Sequence, residues 1–444
     1  MKKIFSKRNS LITLAVGLLL LGNAHHAVAQ VAETSGKVNG DVYGQIKVIG
    51  DVDGDGYKDL VFGGTDGKVH LYSAAGNEIF RPPYWPVQLD APIISDVEVT
   101  SAGGPTNILV TTMSGAIFCL DSMGKTKWAN TDACKSEHSS GIDKIDTVRT
   151  SGPVVFENNG TASEIAFSTS SGRVMLLDAN GVTTKVIDAG GAVEGAPILT
   201  DIDKNGILDI AVKNSNGKMT VLNLSSSETF EWDASRRAND GMWPYCADAT
   251  DINGDGIPEF ITTDPGTSSR VSVWSYDGKK ISDFNISEGS HSAPQIADMD
   301  GDGVDDFIIT EANGDVIVCD KTGKVKKGWP YHSGLSVIGA PQIIDIDGDG
   351  YNEIVFTATN IDGKEELAGS VITLNKSGKV LDGYPKYIGK SYSKPTFADL
   401  DNDGYLEMIV AGGIGFTGNQ IHIFRTNATF KTKIAVIWQE TLYK

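Results

Sequence analysis

The sequence predicts an all-β protein, a β-propeller of eight four-stranded blades. Three observations predict it. Short runs rich in Val, Ile, Phe and Tyr alternate with Gly-centred turns, while helical periodicity is scarce. An acidic nine-residue motif recurs six times. The units carrying it are spaced about 45 to 60 residues apart, the range of a propeller blade.

The motif opens as "DVDGDGYKD" at Asp51. It returns as "DIDKNGILD" at Asp201, "DINGDGIPE" at Asp251, "DMDGDGVDD" at Asp298, "DIDGDGYNE" at Asp345 and "DLDNDGYLE" at Asp399. Two further units, from Ala91 and from Gly152, keep the flanking strands and lose the acids. Each unit reads as a short strand, the acidic loop, an apolar strand, a Gly turn, a strand of the "KVHLY" type, a second Gly turn and a fourth strand. Neighbouring units bury each other's faces, so the ring is stable only as a whole. Merging the two degenerate units would leave seven blades. The last unit, from Pro395 to Lys444, can supply its own fourth strand in "KIAVIWQETL". No linker rich in Pro, Ser or Gly divides residues 30–444, which are read as one domain.

Residues 1–29 read as a cleaved signal peptide. Lys2, Lys3, Lys7 and Arg8 precede an apolar run from Leu11 to Leu21, and Ala27-Val28-Ala29 is a cleavage site. The run is too short to span a bilayer. The expected location is therefore secreted or periplasmic, with no membrane insertion. Residues 30–444 hold 34 basic against 57 acidic side chains, a net charge of −23. That balance excludes nucleic acid as a partner, because nothing neutralises phosphates. Of the four cysteines, Cys119 and Cys134 lie close together in one unit and are the favoured disulfide; four buried thiols are the alternative.

In the nine-residue loop, carboxylates at positions one, three and five point inward when the chain turns tightly. Gly at position six permits the turn, since it accepts φ > 0. The seventh residue offers a backbone carbonyl and the ninth an acid. This hard, all-oxygen shell selects Ca²⁺. An EF-hand would need Glu at position twelve and flanking helices. Position twelve is Phe62, Thr262 and Phe356 in three of the loops, all within β-type runs.

Six copies of D-x-[DN]-x-[DN]-G-x-x-[DE] leading into a "DLVFGG"-like strand resemble the FG-GAP repeats of integrin α-chain propellers and of bacterial VCBS-type proteins. The similarity covers essentially all of residues 30–444. It implies that each loop joins the first and second strands of a blade and holds Ca²⁺, at up to six sites. The ligands so implied are Asp51, Asp53, Asp55 and Asp59; Asp201, Asp203, Asn205 and Asp209; and Asp251, Asn253, Asp255 and Glu259. The later loops would use Asp298, Asp300, Asp302 and Asp306; Asp345, Asp347, Asp349 and Glu353; and Asp399, Asp401, Asp403 and Glu407.

No catalytic constellation is legible, and the reading favours a binding protein over an enzyme. Gly413, Gly415 and Gly418 spell G-x-G-x-x-G, but a strand, "NQIHIF", follows where a dinucleotide site needs a helix. The histidines His70, His138, His291, His332 and His422 fall in different units. Aromatic segments recur near the ends of units, and the candidate ligand-binding residues are Tyr84, Trp85, Trp243, Tyr245, Trp329, Tyr331, His332 and Tyr384. They are expected on the face opposite the acidic loops, with packing between blades as their alternative role. The long segments "TNIDGKEELAGS" and "GGIGFTGNQ" break the repeat symmetry. The expected function is a calcium-stabilised, monomeric binding module for a glycan or a surface protein, resembling integrin-type and lectin propellers. A propeller-type polysaccharide lyase and a periplasmic or surface scaffold are the alternatives.

Overall fold

A computed structural model describes residues 33–101, 105–131, 149–157, 164–193, 195–236, 247–360, 369–413 and 419–429. The signal segment, Cys134, Cys246, His138, Trp243, Tyr245, Gly415, Gly418 and "KIAVIWQETL" lie outside them, as do parts of the two symmetry-breaking segments.

Every regular element among the described residues is a strand, and the strands form eight antiparallel sheets. Blade 1 comprises Lys47–Ile49, Asp59–Gly63, Lys68–Tyr72 and Val87–Gln88, in that order from one edge to the other. The units that lost their acids are blades 2 and 3, which begin at Glu98–Thr100 and Val154–Phe156. The count is therefore eight. Blades 4, 5 and 6 begin at Ile198–Thr200, Ala247–Thr250 and Gln295–Ala297. Blade 7 splits its first strand into Ser336–Val337 and Gln342–Ile344, which pair with opposite ends of Glu353–Thr359.

Burial explains the strand sequences. The second strand of a blade has a sheet neighbour on each side and another blade against each face. Asp59–Gly63, Asp209–Lys213, Glu259–Thr263, Asp306–Thr310 and Glu353–Thr359 are accordingly buried at every residue. A strand buried on both faces reads as a continuous apolar run, as "LVF" and "IVF" do here. The core divides into eight apolar clusters, one between each pair of adjacent blades. At the seam, Leu60, Phe62 and Tyr72 of blade 1 pack against Ile409, Ala411, Ile421 and Ile423 of blade 8.

Ring closure differs from the sequence expectation. Blade 8 takes its outermost strand from the other end of the chain: Thr34–Lys37 pairs antiparallel with Gln420–Thr429, with Ser35 opposite His422 and Gly36 opposite Ile421. Pairing the two ends in one sheet converts an open row of blades into a ring. The close approach needs a glycine. A Cβ on Gly36 would overlap the carbonyl oxygen of Gly76 in blade 1. Gly36→Ala is expected to cost about 1–3 kcal/mol, the usual range for forcing atoms into a filled space. It would be read as a lower urea midpoint with an unchanged slope; an unshifted midpoint would mean that this strand does not close the ring.

The favoured disulfide is absent. Cys119 is a free thiol in the cluster between blades 2 and 3, beside Ile117, Phe167 and Met175. Its strand directs the side chain into the interblade core, and burial pushes the thiol up to about 11. Cys319 is likewise free and buried.

Candidate metal centres

All six acidic loops join the first and second strands of their blades, so they share one face of the ring. Their internal bonding follows one scheme. The first Asp braces the turn: Asp51 Oδ1 accepts from Gly54 N at 2.6 Å, and Oδ2 from Gly56 N at 2.9 Å. Asp53 Oδ1 accepts from Asp55 N, and Asp55 Oδ1 from Tyr57 N. Asp59 Oδ2 accepts from Val52 N at 2.7 Å. In this first loop the carboxylates at positions three, five and nine each spend one oxygen on the backbone and keep the other free of it. Two positions are left-handed, where the sequence pattern marked one. Position six is always Gly, and position four is Gly54, Gly254, Gly301 or Gly348. In the other two loops position four is Lys204 or Asn402, with φ of 59° and 61°.

The ninth residue is the crux. It belongs to the buried second strand, so its carboxylate lies inside the protein: Asp59, Asp209, Glu259, Asp306, Glu353 and Glu407 are all buried. Asp59 Oδ1 is buried with no hydrogen-bond partner. Such an orphaned oxygen is costly unless a cation meets it. Desolvation raises the carboxyl of Asp59 to about 6, of Glu407 to about 7 and of Glu353 to about 8. The neighbouring acids of each loop push the same way.

Five loops bring three carboxylates together with ligand oxygens within 4.8 Å of one another. The groups are Asp51, Asp53 and Asp59; Asp201, Asp203 and Asp209; Asp298, Asp300 and Asp302; Asp345, Asp347 and Glu353; and Asp399, Asp401 and Glu407. The Asp251 loop is not among them. There the Asn253 amide donates to Glu259 Oε1 at 2.6 Å and satisfies the buried acid internally. In the second loop both Asp209 oxygens accept backbone N–H groups, from Ile202 and Leu224. In the fourth, the Lys326 ammonium lies 2.8 Å from Asp300 and 2.9 Å from Asp306. The first, fifth and sixth loops fit a divalent cation best, since each keeps a buried ninth acid whose carboxyl is strongly raised.

Adjacent loops are also tied together. Lys58 Nζ in loop one donates to the Asp399 carbonyl in loop six at 2.8 Å, across the seam. Lys204 in loop two donates to the Asp255 carbonyl in loop three. Asn352 in loop five donates to the Asp298 carbonyl in loop four at 3.3 Å.

The aromatic segments lie elsewhere than expected. The fourth strands Val87–Gln88, Tyr331–His332 and Lys386–Tyr387 are short and include or follow the aromatics. Tyr84, Trp85, Trp329 and Tyr384 therefore sit in third-to-fourth-strand connections, on the same face as the acidic loops. Trp85 is buried between blades 1 and 2, and its indole N–H donates to Ser122 O at 3.2 Å. Trp329 packs between blades 6 and 7, and Tyr384 against the core between blades 7 and 8. Tyr84 is exposed, Tyr331 half-buried, and His332 exposed with Nδ1 2.7 Å from Asp315. The structure does not gather these residues into one site. His70 is buried between Asp66 and Glu78; burial opposes its charge, but those two hydrogen bonds prevail and raise its pKa.

The raised acids set a pH dependence when metal is chelated. Glu353 ionises near pH 4.3 in an unfolded chain and at about 8 in the fold. Its stability contribution is thus fully present below about pH 4 and is lost as pH rises through 8. In chelator, Glu353→Gln is expected to be more stable than the wild type at pH 8, with the gap closing towards pH 5. Thermal melts across that window check this; a gap independent of pH would refute the assignment.

The FG-GAP-like repeat family model matches residues 201–262, 251–309 and 345–410. No curated protein matches the sequence. Among solved structures, the V. cholerae biofilm matrix protein Bap1 aligns at a TM-score of 0.55 and 14% identity, covering 87% of this chain and 88% of that one. Quinohemoprotein alcohol dehydrogenase from Comamonas testosteroni aligns at 0.57 and 12%, covering 88% and 76%. At these identities the likeness is one of fold. Six acidic loops of one pattern stand in a β-propeller of eight four-stranded blades, and FG-GAP-like repeats are matched in its blades 4 to 8.

Proposed function

We propose that this propeller is an exported, calcium-stabilised binding module whose acidic-loop face recognises a glycan. The observation that carries the reading is a cleft of about 860 Å³ on that face, between blades 7 and 8. Asp347 of the fifth loop, Tyr405 of the sixth, and Asn375, Asp382, Tyr384 and Asn427 line it. Tyr405 is 44% exposed at its edge. Flat phenol rings stack on sugar rings, and amides and carboxylates at fixed positions bind hydroxyl groups.

Calcium supports this face by neutralising the loops. Asp51, Asp53, Asp55 and Asp59 would hold one ion, Asp345, Asp347, Asp349 and Glu353 another, and Asp399, Asp401, Asp403 and Glu407 a third. The buried, unpartnered Asp59 Oδ1 is the atom that most requires one. Extracellular calcium modules bind at about 10⁻⁴–10⁻³ M. At ten times the dissociation constant, each filled site stabilises the fold by about 1.4 kcal/mol. Calcium is therefore expected to raise the melting temperature, and Asp53→Asn to remove one site's share of the rise. A melt unmoved by millimolar calcium would sink the metal reading.

The glycan reading is tested on a broad glycan array with a chelated duplicate. Specific binding that weakens on chelation is expected, because Asp347 belongs to both a loop and the cleft. Tyr405→Ala should weaken that binding at least tenfold while the melting temperature stays near the wild type's. A blank array from folded, calcium-loaded protein would instead assign the cleft to a protein partner.

A further inference from the structure

Every acidic loop presents the same problem, a buried carboxylate among other acids, yet the fourth loop contains its own cation. Lys326 lies in the connection between the third and fourth strands of blade 6. Its Nζ stands 2.8 Å from Asp300 Oδ2, 3.4 Å from Asp302 Oδ2 and 2.9 Å from Asp306 Oδ1. Those are the third, fifth and ninth positions of the loop. They are the groups that would otherwise surround an ion.

Neighbouring repeats supply an internal control. The Lys326 backbone N–H donates to Val318 O on the third strand. The same bond runs from Leu381 to Thr373 in blade 7 and from Ile79 to Leu71 in blade 1. The bridges one residue earlier match as well: Val325 with Cys319, Val380 with Leu374, and Glu78 with Tyr72. Lys326, Leu381 and Ile79 thus occupy one structural position. In blades 1 and 7 that position is apolar, so no ammonium reaches the loop from it. In blade 6 the ammonium meets three carboxylates at once, on a side chain held by its own backbone bond.

We infer that Lys326 is a tethered replacement for a metal ion, and that the Asp298 loop takes no calcium while this lysine is present. The inference rests on the calcium reading of the other loops. The ammonium donates hydrogen bonds to Asp300 and Asp302 and stands within ion-pair distance of Asp306, whose Oδ1 takes no hydrogen bond. Being covalently attached, it reaches the loop at an effective concentration that a freely diffusing ion of millimolar affinity does not match. Blade 6 is therefore stapled whatever the external calcium, and blade 8 has a partial counterpart in the Arg425 guanidinium, 3.2 Å from Asp403 Oδ2, while blades 1 and 7 are stapled only when calcium is present.

Equilibrium dialysis with elemental analysis of bound calcium tests this on the wild type, Lys326→Leu and Lys326→Gln. Lys326→Leu installs the residue that blade 7 uses. Both variants are expected to bind one more calcium ion per chain than the wild type. In chelator both should melt lower than the wild type, and saturating calcium should recover most of the difference. Asp300→Asn with Lys326 intact should keep the wild-type calcium count, whereas Asp53→Asn should lower it by one. Equal counts in the wild type and both lysine variants would overturn the inference while leaving the calcium reading standing. So would a count lowered by Asp300→Asn, which needs no lysine variant to fold. A wild type that binds no calcium would overturn the calcium reading; a single ion gained by Lys326→Leu would still support the replacement.

Discussion

The structure turns on one constraint: a carboxylate must lie at the start of a strand that is buried on both faces. The nine-residue loop leaves its last acid on the second strand, and the second strand is the most enclosed element of a blade. Burial disfavours the charge, and the acids at positions one, three and five add repulsion. One backbone N–H, from position two, is donated to the ninth carboxylate in all six loops. What remains is met in different ways. Asp209 gains a second backbone donor from Leu224. Glu259 gains the Asn253 amide, and Asp306 the Lys326 ammonium. Asp59 Oδ2 gains a second backbone donor, Asp53 N at 3.2 Å, but its Oδ1 gains nothing from the described residues. The repeats share a backbone and differ in how they neutralise it.

This constraint matters because no blade stands alone. Each apolar cluster takes residues from two blades, so one loosened blade exposes two interfaces. The loops lie at one face of those interfaces and are bonded to one another across them, as Lys58 to Asp399 shows. The opposite face is held differently, by small hydroxyl side chains donating to the next blade's backbone. Thr396 donates to Ile46 O at 2.6 Å, Thr357 to Ser393 O at 3.0 Å and Thr111 to Ser151 O at 2.7 Å. Those bonds are neutral and independent of ions. The acidic groups that could hold a metal ion all lie on the other side of the ring.

Much of this was legible in the sequence, and the failures share a cause. The repeat period, the Gly turns and the acids at fixed spacing act locally, and they specified the blades and the loops directly. Ring closure is non-local. Thr34–Lys37 reads "TSGK", with no alternation to mark a strand, and becomes one only because Gln420–Thr429 has a free edge. The aromatic segments share the face of the acidic loops, and the two-residue fourth strands that put them there are too short to leave a sequence signal. Cys119 lies near Cys134 along the chain, but its strand turns it into the core. Lys326 looks like any surface lysine in "KVKKGWPY" until its register against the third strand sets it beside three acids. Aligning that segment with "KVLDGYPK" of the next unit, where Leu381 stands in its place, was the available signal.

The same register argument bears on the cleft. Its walls are the fifth loop, the sixth loop and the third-to-fourth-strand connection of blade 7, so Asp347 serves a metal group and lines the cleft at once. A ligand that orders this cleft would order the fifth loop with it. Binding free energies are reciprocal: if calcium in the fifth loop favours the ligand, the ligand favours calcium there by the same factor. Loop four, neutralised by Lys326, stands outside that exchange even though Asn352 ties it to loop five. The lysine gives the coupled pair of loops a neighbour whose order does not vary with calcium. The cleft itself is lined by loops five and six, whose acids Lys326 does not meet.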